Sequence, residues 1–177
     1  MRECVCLDPT ATSNGPVLEA FFEALGPYRS RGEKVVARNC GVSSVPTGAG
    51  ATYSMQGYLK ALKELQDQFG QSFLQRVGSL IFSKALFPPG IKGIEGAMHS
   101  IDVAYNMNST GKIGSYRFTA TGSRGVMVCD NPFPCAFDFG LLLSVAARFA
   151  PSAKVTHLDP ECCRHTDGES CSYSVEW

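Results

Sequence analysis

Three cysteines in the C-terminal third of the chain have the residue type and the setting of a metal site. Cys135 ends a proline-rich loop, whereas Cys163 and Cys171 lie on the two sides of a polar turn centred on Gly168. If the strands around the intervening helix are neighbours, the three thiols converge, and zinc takes four sulfur, nitrogen or oxygen ligands in a tetrahedron. The spacing is not Cys-x-x-Cys, and buried cysteines that act as small apolar residues are the alternative. The candidates for a fourth ligand are His157, Asp159 and Glu161.

A second candidate site is an apolar chamber for a small ligand, with a histidine beside it. His99 follows Met98 on a predicted helix, where a histidine could ligate a haem iron, with Asp102 one turn on to orient the ring. A histidine hydrogen-bonded at a helix edge is the alternative. Aromatic residues line many small-molecule sites, although at helical spacing they more often belong to a core. The predicted lining is Phe69, Phe73, Phe82, Met98, His99, Tyr105, Tyr116, Phe118 and Phe133.

The motifs of hydrolytic and phosphate chemistry are not present in the sequence. It contains no Gly-x-Ser-x-Gly, no phosphate-binding glycine loop and no His-Glu-x-x-His. A nucleophile pair of Cys163 with His165 would need a geometry that neighbours in a turn seldom adopt. An enzyme acting on a small ring substrate stays a hypothesis. Its acid–base groups would come from His99, Asp102, Tyr105 and Tyr116.

Length and composition describe one ordinary globular domain. The 177 residues favour a single domain over 1–177, in which 1–15 form an N-terminal arm. Sixteen basic residues balance sixteen acidic ones, so no global field attracts nucleic acid or an anionic membrane. No run approaches ~18 apolar residues and the N-terminus lacks a signal-peptide core, so a soluble protein in a reducing cytoplasm is expected. There, clustered thiols among eight cysteines more often bind metal or act in redox chemistry than form disulfides.

The elements that must position these residues begin with a helical first half. Apolar side chains recur every three or four positions, which is the pattern of helices with one buried face. Glycine and proline mark several of the ends, as at Gly26-Pro27 and Pro88-Pro89-Gly90. The Gly/Ser/Thr/Pro-rich run 41–51 is predicted to be a loop. Helices are predicted over 16–25, about 33–40, about 54–69, from about 73 to the prolines, and about 94–107.

The second half of the chain has the alternating pattern of β-strands. Strands over 116–120 and 126–129 are separated by a glycine turn, as in a hairpin. Further strands are predicted over 154–158 and 171–177, after a strongly apolar helix over 137–149. This order predicts an α+β fold, with a helical N-terminal half packed on an antiparallel sheet that has one long helix inserted.

Two segments resemble the C-terminal half of 4-vinyl-reductase-type domains. They are Asp130-Asn-Pro-Phe-Pro-Cys135-Ala-Phe-Asp-Phe-Gly and Cys163-x-x-x-x-Gly168-x-x-Cys171-x-Tyr-x-Val, and the resemblance is most specific over 113–177. This family is related to haem nitric-oxide/oxygen sensors and to transport-particle subunits, and it supplies the sensor domains of phenol-responsive bacterial regulators. The resemblance implies an α+β fold with a small apolar or aromatic ligand held between the helices and the sheet.

The resemblance also implies a zinc site. In the phenol sensors, three cysteines and one glutamate hold zinc near the pocket, and the thiols correspond to Cys135, Cys163 and Cys171. The glutamate has no clean match, because Glu161 is closest in type, Asp159 in offset, and His157 is chemically able. In the haem branch, His99 lies on roughly the helix that carries the proximal histidine. The Tyr-x-Ser-x-Arg motif expected after it is replaced by Tyr116-Arg-Phe-Thr-Ala, and the interval is too short.

The regulators of this type join the sensor domain to an ATPase and a DNA-binding module. The present sequence contains neither. A homodimer or a separate effector protein is therefore expected to receive the signal, with no direct contact to nucleic acid.

Overall fold

The computed structural model describes residues 3–45, 47–48, 50–166 and 168–177. The predicted α+β fold is confirmed: six α-helices and two antiparallel sheets make up the described part of the chain. The helices are α1 (Gly15–Leu25), α2 (Arg29–Cys40), α3 (Met55–Phe69), α4 (Gln71–Lys84), α5 (Gly93–Met107) and α6 (Cys135–Phe149). The strands are β1 (Thr12–Asn14), β2 (Thr52–Ser54), β3 (Ser109–Thr110), β4 (Ser115–Thr121), β5 (Arg124–Asp130), β6 (Lys154–Leu158) and β7 (Cys171–Glu176).

The larger sheet has the strand order β4-β5-β7-β6, and every pair is antiparallel. Strand β7 lies between β5 and β6, so the last strand of the chain is central in the sheet. Its register places Cys171 opposite Cys129 and Tyr173 between Met127 and His157. Because side chains alternate along a strand, the inward face of this sheet carries Tyr116, Phe118, Met127, Cys129, Cys171, Tyr173 and Val175, all of them buried.

A second, smaller sheet has the order β2-β1-β3 and was not predicted. It lies among the helices of the first half and joins the segment before α1 to the segments before α3 and after α5. Its strands are two or three residues long and rich in serine, threonine and asparagine. Residues of this kind are typical of turns, so the sequence pattern concealed them.

Most predicted helix boundaries lie within a few residues of the observed ones. Gly26 ends α1, and the Ser54 side chain caps α3 by accepting a hydrogen bond from the Gly57 N–H at 3.2 Å. Helix α2 begins earlier than predicted, at Arg29, and α4 ends at Lys84, before the prolines. The described residues of the predicted loop 41–51 contain neither helix nor strand, and Pro46 and Ala49 lie outside the described residues.

None of the helices in the described ranges combines the length and apolar character that a bilayer-spanning segment needs.

Helices α4 and α6 cross so closely that their backbones touch at two glycines. A Cβ atom at Gly78 would overlap the main-chain oxygen of Phe137, and one at Gly140 would overlap the main-chain oxygen of Gln75. Glycine at these two positions therefore sets the distance between the helix that begins at Cys135 and its neighbour. The crossing holds the start of α6 against the sheet.

We expect Gly78→Ala to lower the free energy of unfolding by about 1–3 kcal/mol, because the added methyl group must push the two backbones apart. Chemical denaturation followed by circular dichroism measures this change. The matched control is Gly96→Ala on α5, where a Cβ atom meets nothing within 4 Å. That control should be neutral or stabilising by up to ~1 kcal/mol. Equal effects of the two substitutions would contradict the close crossing.

Candidate functional site

The structure brings the three sequence-predicted thiols together at one end of the large sheet. Cys135 Sγ lies 3.0 Å from Cys171 Sγ and 3.6 Å from Cys163 Sγ. A ring nitrogen of His157 joins them, and the four donor atoms lie within 4.8 Å of one another. We call these four residues the thiol cluster. Three sulfurs and one imidazole nitrogen in such a group match the donor set of structural zinc sites.

Four different elements deliver the members of the thiol cluster. Cys135 is the first residue of α6, Cys171 is the first of β7, and His157 lies on the edge strand β6. Cys163 separates two short 3₁₀ turns, Pro160–Cys162 and Arg164–Thr166. The turn back to β7 is tight, because a Cβ atom at Gly168 would lie 2.6 Å from the Cys162 carbonyl oxygen.

His157 is the fourth donor that the structure places within the thiol cluster. Its ring stacks on Tyr173 with the centroids 4.6 Å apart, and its Nε2 atom is buried without a hydrogen-bond partner among the described residues. Metal ligation would satisfy such a nitrogen. Asp159 and Glu161 are exposed and lie outside the cluster, because the chain turns away after β6 through a left-handed residue at Asp159.

The environment of Cys171 favours the thiolate form that metals require. A hydrogen bond from Cys135 and the nearby Arg164 guanidinium together lower the pKa of Cys171 to about 5, against the effect of burial. The same interaction raises the pKa of Cys135, since the shared proton stays on that sulfur. The surroundings of Cys171 thus favour its thiolate form before any cation binds.

A buried ion pair that the sequence analysis did not identify supports the thiol cluster. The side chains of Arg164 and Asp138 are 1% and 0% exposed, and the Arg164 Nη2 atom donates to Asp138 Oδ2. Arg164 also donates from Nη1 to Asn131 Oδ1 at 2.7 Å and from Nε to Cys171 Sγ at 3.3 Å. Burial raises the pKa of Asp138 to about 6, although Arg164 and a hydrogen bond from Tyr116 act in the opposite direction.

One feature of the sequence could have revealed this pair. Asp138 lies in the run Phe137-Asp-Phe-Gly-Leu-Leu-Leu143, within a strongly apolar helix. A carboxylate in such a helix needs a buried partner, because a lone buried charge is very costly. The partner is 26 positions away in the sequence, and periodicity gives no indication of it.

The N-terminal arm closes over the start of α6. Glu3 Oε1 accepts a hydrogen bond from the Cys135 N–H at 2.7 Å, and Glu3 Oε2 lies 3.0 Å from His165 Nδ1. Although burial raises the pKa of Glu3, hydrogen bonds from Cys135 and His165 bring that pKa below its usual value. The Gln56 side chain also holds the arm, by binding the Cys4 carbonyl at 3.0 Å and the Cys6 N–H at 2.8 Å.

We expect Glu3→Gln to lower the free energy of unfolding by about 1–2 kcal/mol, because it removes a buried anion that caps a helix. Thermal and urea unfolding measure the loss. The exposed Glu95 in the first turn of α5 provides the control, and Glu95→Gln should change stability by no more than a few tenths of a kcal/mol. An equally small effect of Glu3→Gln would show that the arm is not held by this carboxylate.

An apolar cavity of about 40 Å³ lies among α1, α4, α5 and α6, and Tyr116 is the residue of the larger sheet that lines it. Of the predicted lining residues, Tyr105, Tyr116 and Phe133 line it. The Tyr105 hydroxyl donates to the Ile113 carbonyl oxygen at 2.7 Å, and that of Tyr116 donates to Asp138 Oδ1 at 2.6 Å. Both tyrosine hydroxyls are therefore partnered, and the cavity presents mainly apolar surface.

The structure places the other predicted lining residues elsewhere. Phe69 and Phe73 line an open surface groove beside Tyr28. Phe82 packs against Phe87 and Phe149 outside the cavity. Met98 and Phe118 are buried in the core away from the cavity.

His99 is exposed, and its ring lies against Phe118 with the centroids 5.3 Å apart. On α5, the residues that line the cavity are Ile101, Ala104 and Tyr105. His99 is two positions from Ile101, which is a rotation of about 200° around a helix of 3.6 residues per turn. The side chain therefore points away from the cavity.

Among the comparisons with known proteins, the one with solved structures identifies the fold. No protein-family model matches the sequence, and no curated protein matches it. Among solved structures, an H-NOX protein from S. oneidensis in the Fe(II)NO ligation state superposes with a TM-score of 0.68 at 12% identity, over 92% of this chain and 98% of that one. Fe(II) unliganded H-NOX protein from K. algicida gives a TM-score of 0.61 at 14% identity, over 92% and 95% of the two chains.

A third solved structure, the IWP-051-bound H-NOX from Shewanella woodyi, gives a TM-score of 0.59 at 15% identity, over 92% of this chain and 93% of that one. At such identities a structural match shows the fold and leaves the bound groups open. Each of these matches covers 92% of this chain. The chain therefore has the fold of the H-NOX domains.

Proposed function

We propose that this protein is a sensor-type domain that binds a small apolar or aromatic ligand and carries a structural zinc. The observation that carries the proposal is the convergence of Cys135, His157, Cys163 and Cys171, whose donor atoms lie within 4.8 Å of one another. The apolar cavity supplies the ligand site. Assignment to the 4-vinyl-reductase-type domains belongs to this proposal and is supported by the three cysteines and the glycine turn.

Zinc at this position would have a structural role. Four protein donors complete a tetrahedron and leave no position for a reacting water. The cation would link α6, β6, β7 and the turn at Cys163. Without it, only short segments of the chain connect these parts at the end of the sheet. An enzyme acting on a small ring substrate would instead require an open position on the metal.

The cavity limits the ligand. At about 40 Å³ it is much smaller than the ~300–1,000 Å³ of ordinary ligand pockets. A molecule of a few atoms fits directly, whereas an aromatic ring requires the walls to move. The hydroxyls of Tyr105 and Tyr116 already have hydrogen-bond partners. A ligand without hydrogen-bonding groups can therefore enter the cavity without leaving either hydroxyl unpaired. We infer that binding changes a surface that a second copy of the chain or a separate effector protein reads.

Elemental analysis of protein purified without added zinc tests the metal site. We expect one zinc per chain, and we expect the thiols of Cys135, Cys163 and Cys171 to react with a thiol reagent only after a chelator is added. Protein without stoichiometric metal, in which all eight thiols titrate freely, would refute the zinc site. Mass spectrometry of small molecules released from the same preparation tests for a copurifying ligand independently.

A haem-based gas or redox sensor is the second candidate, and its support is the fold. H-NOX proteins with this fold have been solved in Fe(II) states, and haem distortion has been studied in that family. The residues of this chain fit haem poorly, because His99 is exposed and the cavity lining includes neither histidine nor cysteine. Addition of haem should therefore give no Soret band. A Soret band that disappears in His99→Ala would favour the haem sensor over the zinc-containing one.

A further inference from the structure

A continuous chain of hydrogen bonds joins the cavity wall to the thiol cluster. Tyr116 lines the cavity and donates to Asp138 Oδ1 at 2.6 Å. Asp138 Oδ2 accepts from Arg164 Nη2, and Arg164 Nε donates to Cys171 Sγ at 3.3 Å. All four residues are buried. Because water does not compete with these bonds, a change at one end is not screened before it reaches the other.

The distance between the sulfurs at the Cys171 end of this series of hydrogen bonds must change when a metal binds. Cys135 Sγ and Cys171 Sγ lie 3.0 Å apart, whereas two thiolates in a tetrahedral site with Zn–S bonds of ~2.3 Å lie ~3.8 Å apart. The two sulfurs must therefore separate. The cation also draws electron density from the Cys171 sulfur that Arg164 contacts. Arg164 then shares its positive charge differently between Cys171 and Asp138.

We propose that the chain Tyr116–Asp138–Arg164–Cys171 couples occupancy of the cavity to metal binding, with Arg164 as the positioning residue of the metal centre. This inference rests on the zinc site of the proposed function. Coupling between two binding sites is reciprocal, so a ligand that moves the Tyr116 hydroxyl changes metal affinity, and the metal changes the cavity wall. A ligand without polar groups can in this way act on a charged centre that it does not touch.

Tyr105 offers a matched comparison for Tyr116. Both rings line the same cavity, and their centroids lie 5.3 Å apart. The Tyr105 hydroxyl donates to the Ile113 carbonyl oxygen, which is not a member of the chain. Each substitution removes one hydroxyl from a ring that lines the cavity. Only Tyr116→Phe removes a hydrogen bond that Asp138 accepts.

The zinc affinity of the full chain, measured by competition with a chelator, tests the coupling. Tyr116→Phe should weaken zinc binding by at least about fivefold, because Asp138 then draws Arg164 away from Cys171. Tyr105→Phe should leave the affinity within about twofold of the unmodified protein. Arg164→Lys should weaken it by about 10–100-fold, since a lysine cannot contact the sulfur and Asp138 together. Equal zinc affinities for the two tyrosine variants would count against the coupling.

A spectroscopic measurement on the unsubstituted chain avoids any loss of folding in the variants. In protein labelled with 3-fluorotyrosine, zinc saturation should shift the ¹⁹F resonance of Tyr116, identified among the six tyrosines by its loss in Tyr116→Phe. Cobalt(II) reports separately on the metal site through thiolate absorption. If cobalt(II) gives thiolate absorption but zinc does not shift the Tyr116 resonance, the coupling is wrong and the zinc site is retained. No absorption overturns the zinc site and the coupling together.

Discussion

Zinc added to the metal-depleted protein is expected to raise the free energy of unfolding by about 4 kcal/mol when free zinc exceeds its Kd about a thousandfold. The physical reason is that the four donors meet only in the folded chain, where they come from four separate elements. The unfolded chain offers no such preformed site, so binding energy becomes folding energy. Urea unfolding with buffered free zinc measures the gain, and the midpoint should depend on the zinc concentration.

Two serine substitutions separate this effect from general thiol chemistry. Cys171→Ser removes one ligand of the thiol cluster and should abolish the zinc-dependent gain. Cys162→Ser changes an exposed neighbour outside the cluster and should retain it. If the midpoint does not respond to zinc in the unsubstituted protein, or if Cys171→Ser keeps the response, the proposed ligand set is wrong.

The second large effect is expected at the buried ion pair. Asp138→Asn should lower the free energy of unfolding by about 3–5 kcal/mol, because the buried Arg164 loses its carboxylate partner, although it retains the contact with the Cys171 sulfur. Urea unfolding of the metal-depleted protein measures this loss without a contribution from zinc. The exposed pair of Arg124 with Glu176, whose N–O distance is 2.6 Å, gives the control. Glu176→Gln should cost no more than about 1 kcal/mol.

A double substitution tests whether the cost arises from the uncompensated charge. Asp138→Leu combined with Arg164→Met removes both ions and should cost less than the sum of the two single substitutions, because neither charge is left alone. Additive losses would indicate that the two residues contribute separately, through packing or through their other hydrogen bonds. A loss below about 1 kcal/mol in Asp138→Asn would contradict the burial of this pair.

The sequence predicted the cysteines of the thiol cluster better than it predicted the lining of the cavity. The three cysteines could be proposed from their types and from the glycine turn, because these are properties of short segments. The sequence could not decide which of His157, Asp159 and Glu161 is the fourth member, since that depends on the direction of the chain after β6. The lining of the cavity was harder still to predict, because apolar spacing shows that a residue is buried but not which part of the interior it faces. Phe73 and Met98 illustrate this, since both are buried but neither lines the cavity.

Periodicity along the sequence by itself determined the α+β class, the order of the long helices and the strands of the larger sheet. These features depend on residues a few positions apart, and the alternation or recurrence of apolar side chains records them directly. Gly26 at the end of α1 and Ser54 at the start of α3 marked their boundaries for the same local reason.

The tertiary structure alone decided which distant groups meet. It selected His157 as the fourth member of the thiol cluster, turned His99 outward, and paired Asp138 with Arg164 across 26 positions of sequence. Each of these outcomes depends on the rotation of a helix or the register of a strand relative to another element. A rotation of a helix by one residue, about 100°, exchanges buried for exposed positions without changing any local pattern, so the sequence contains no direct record of it.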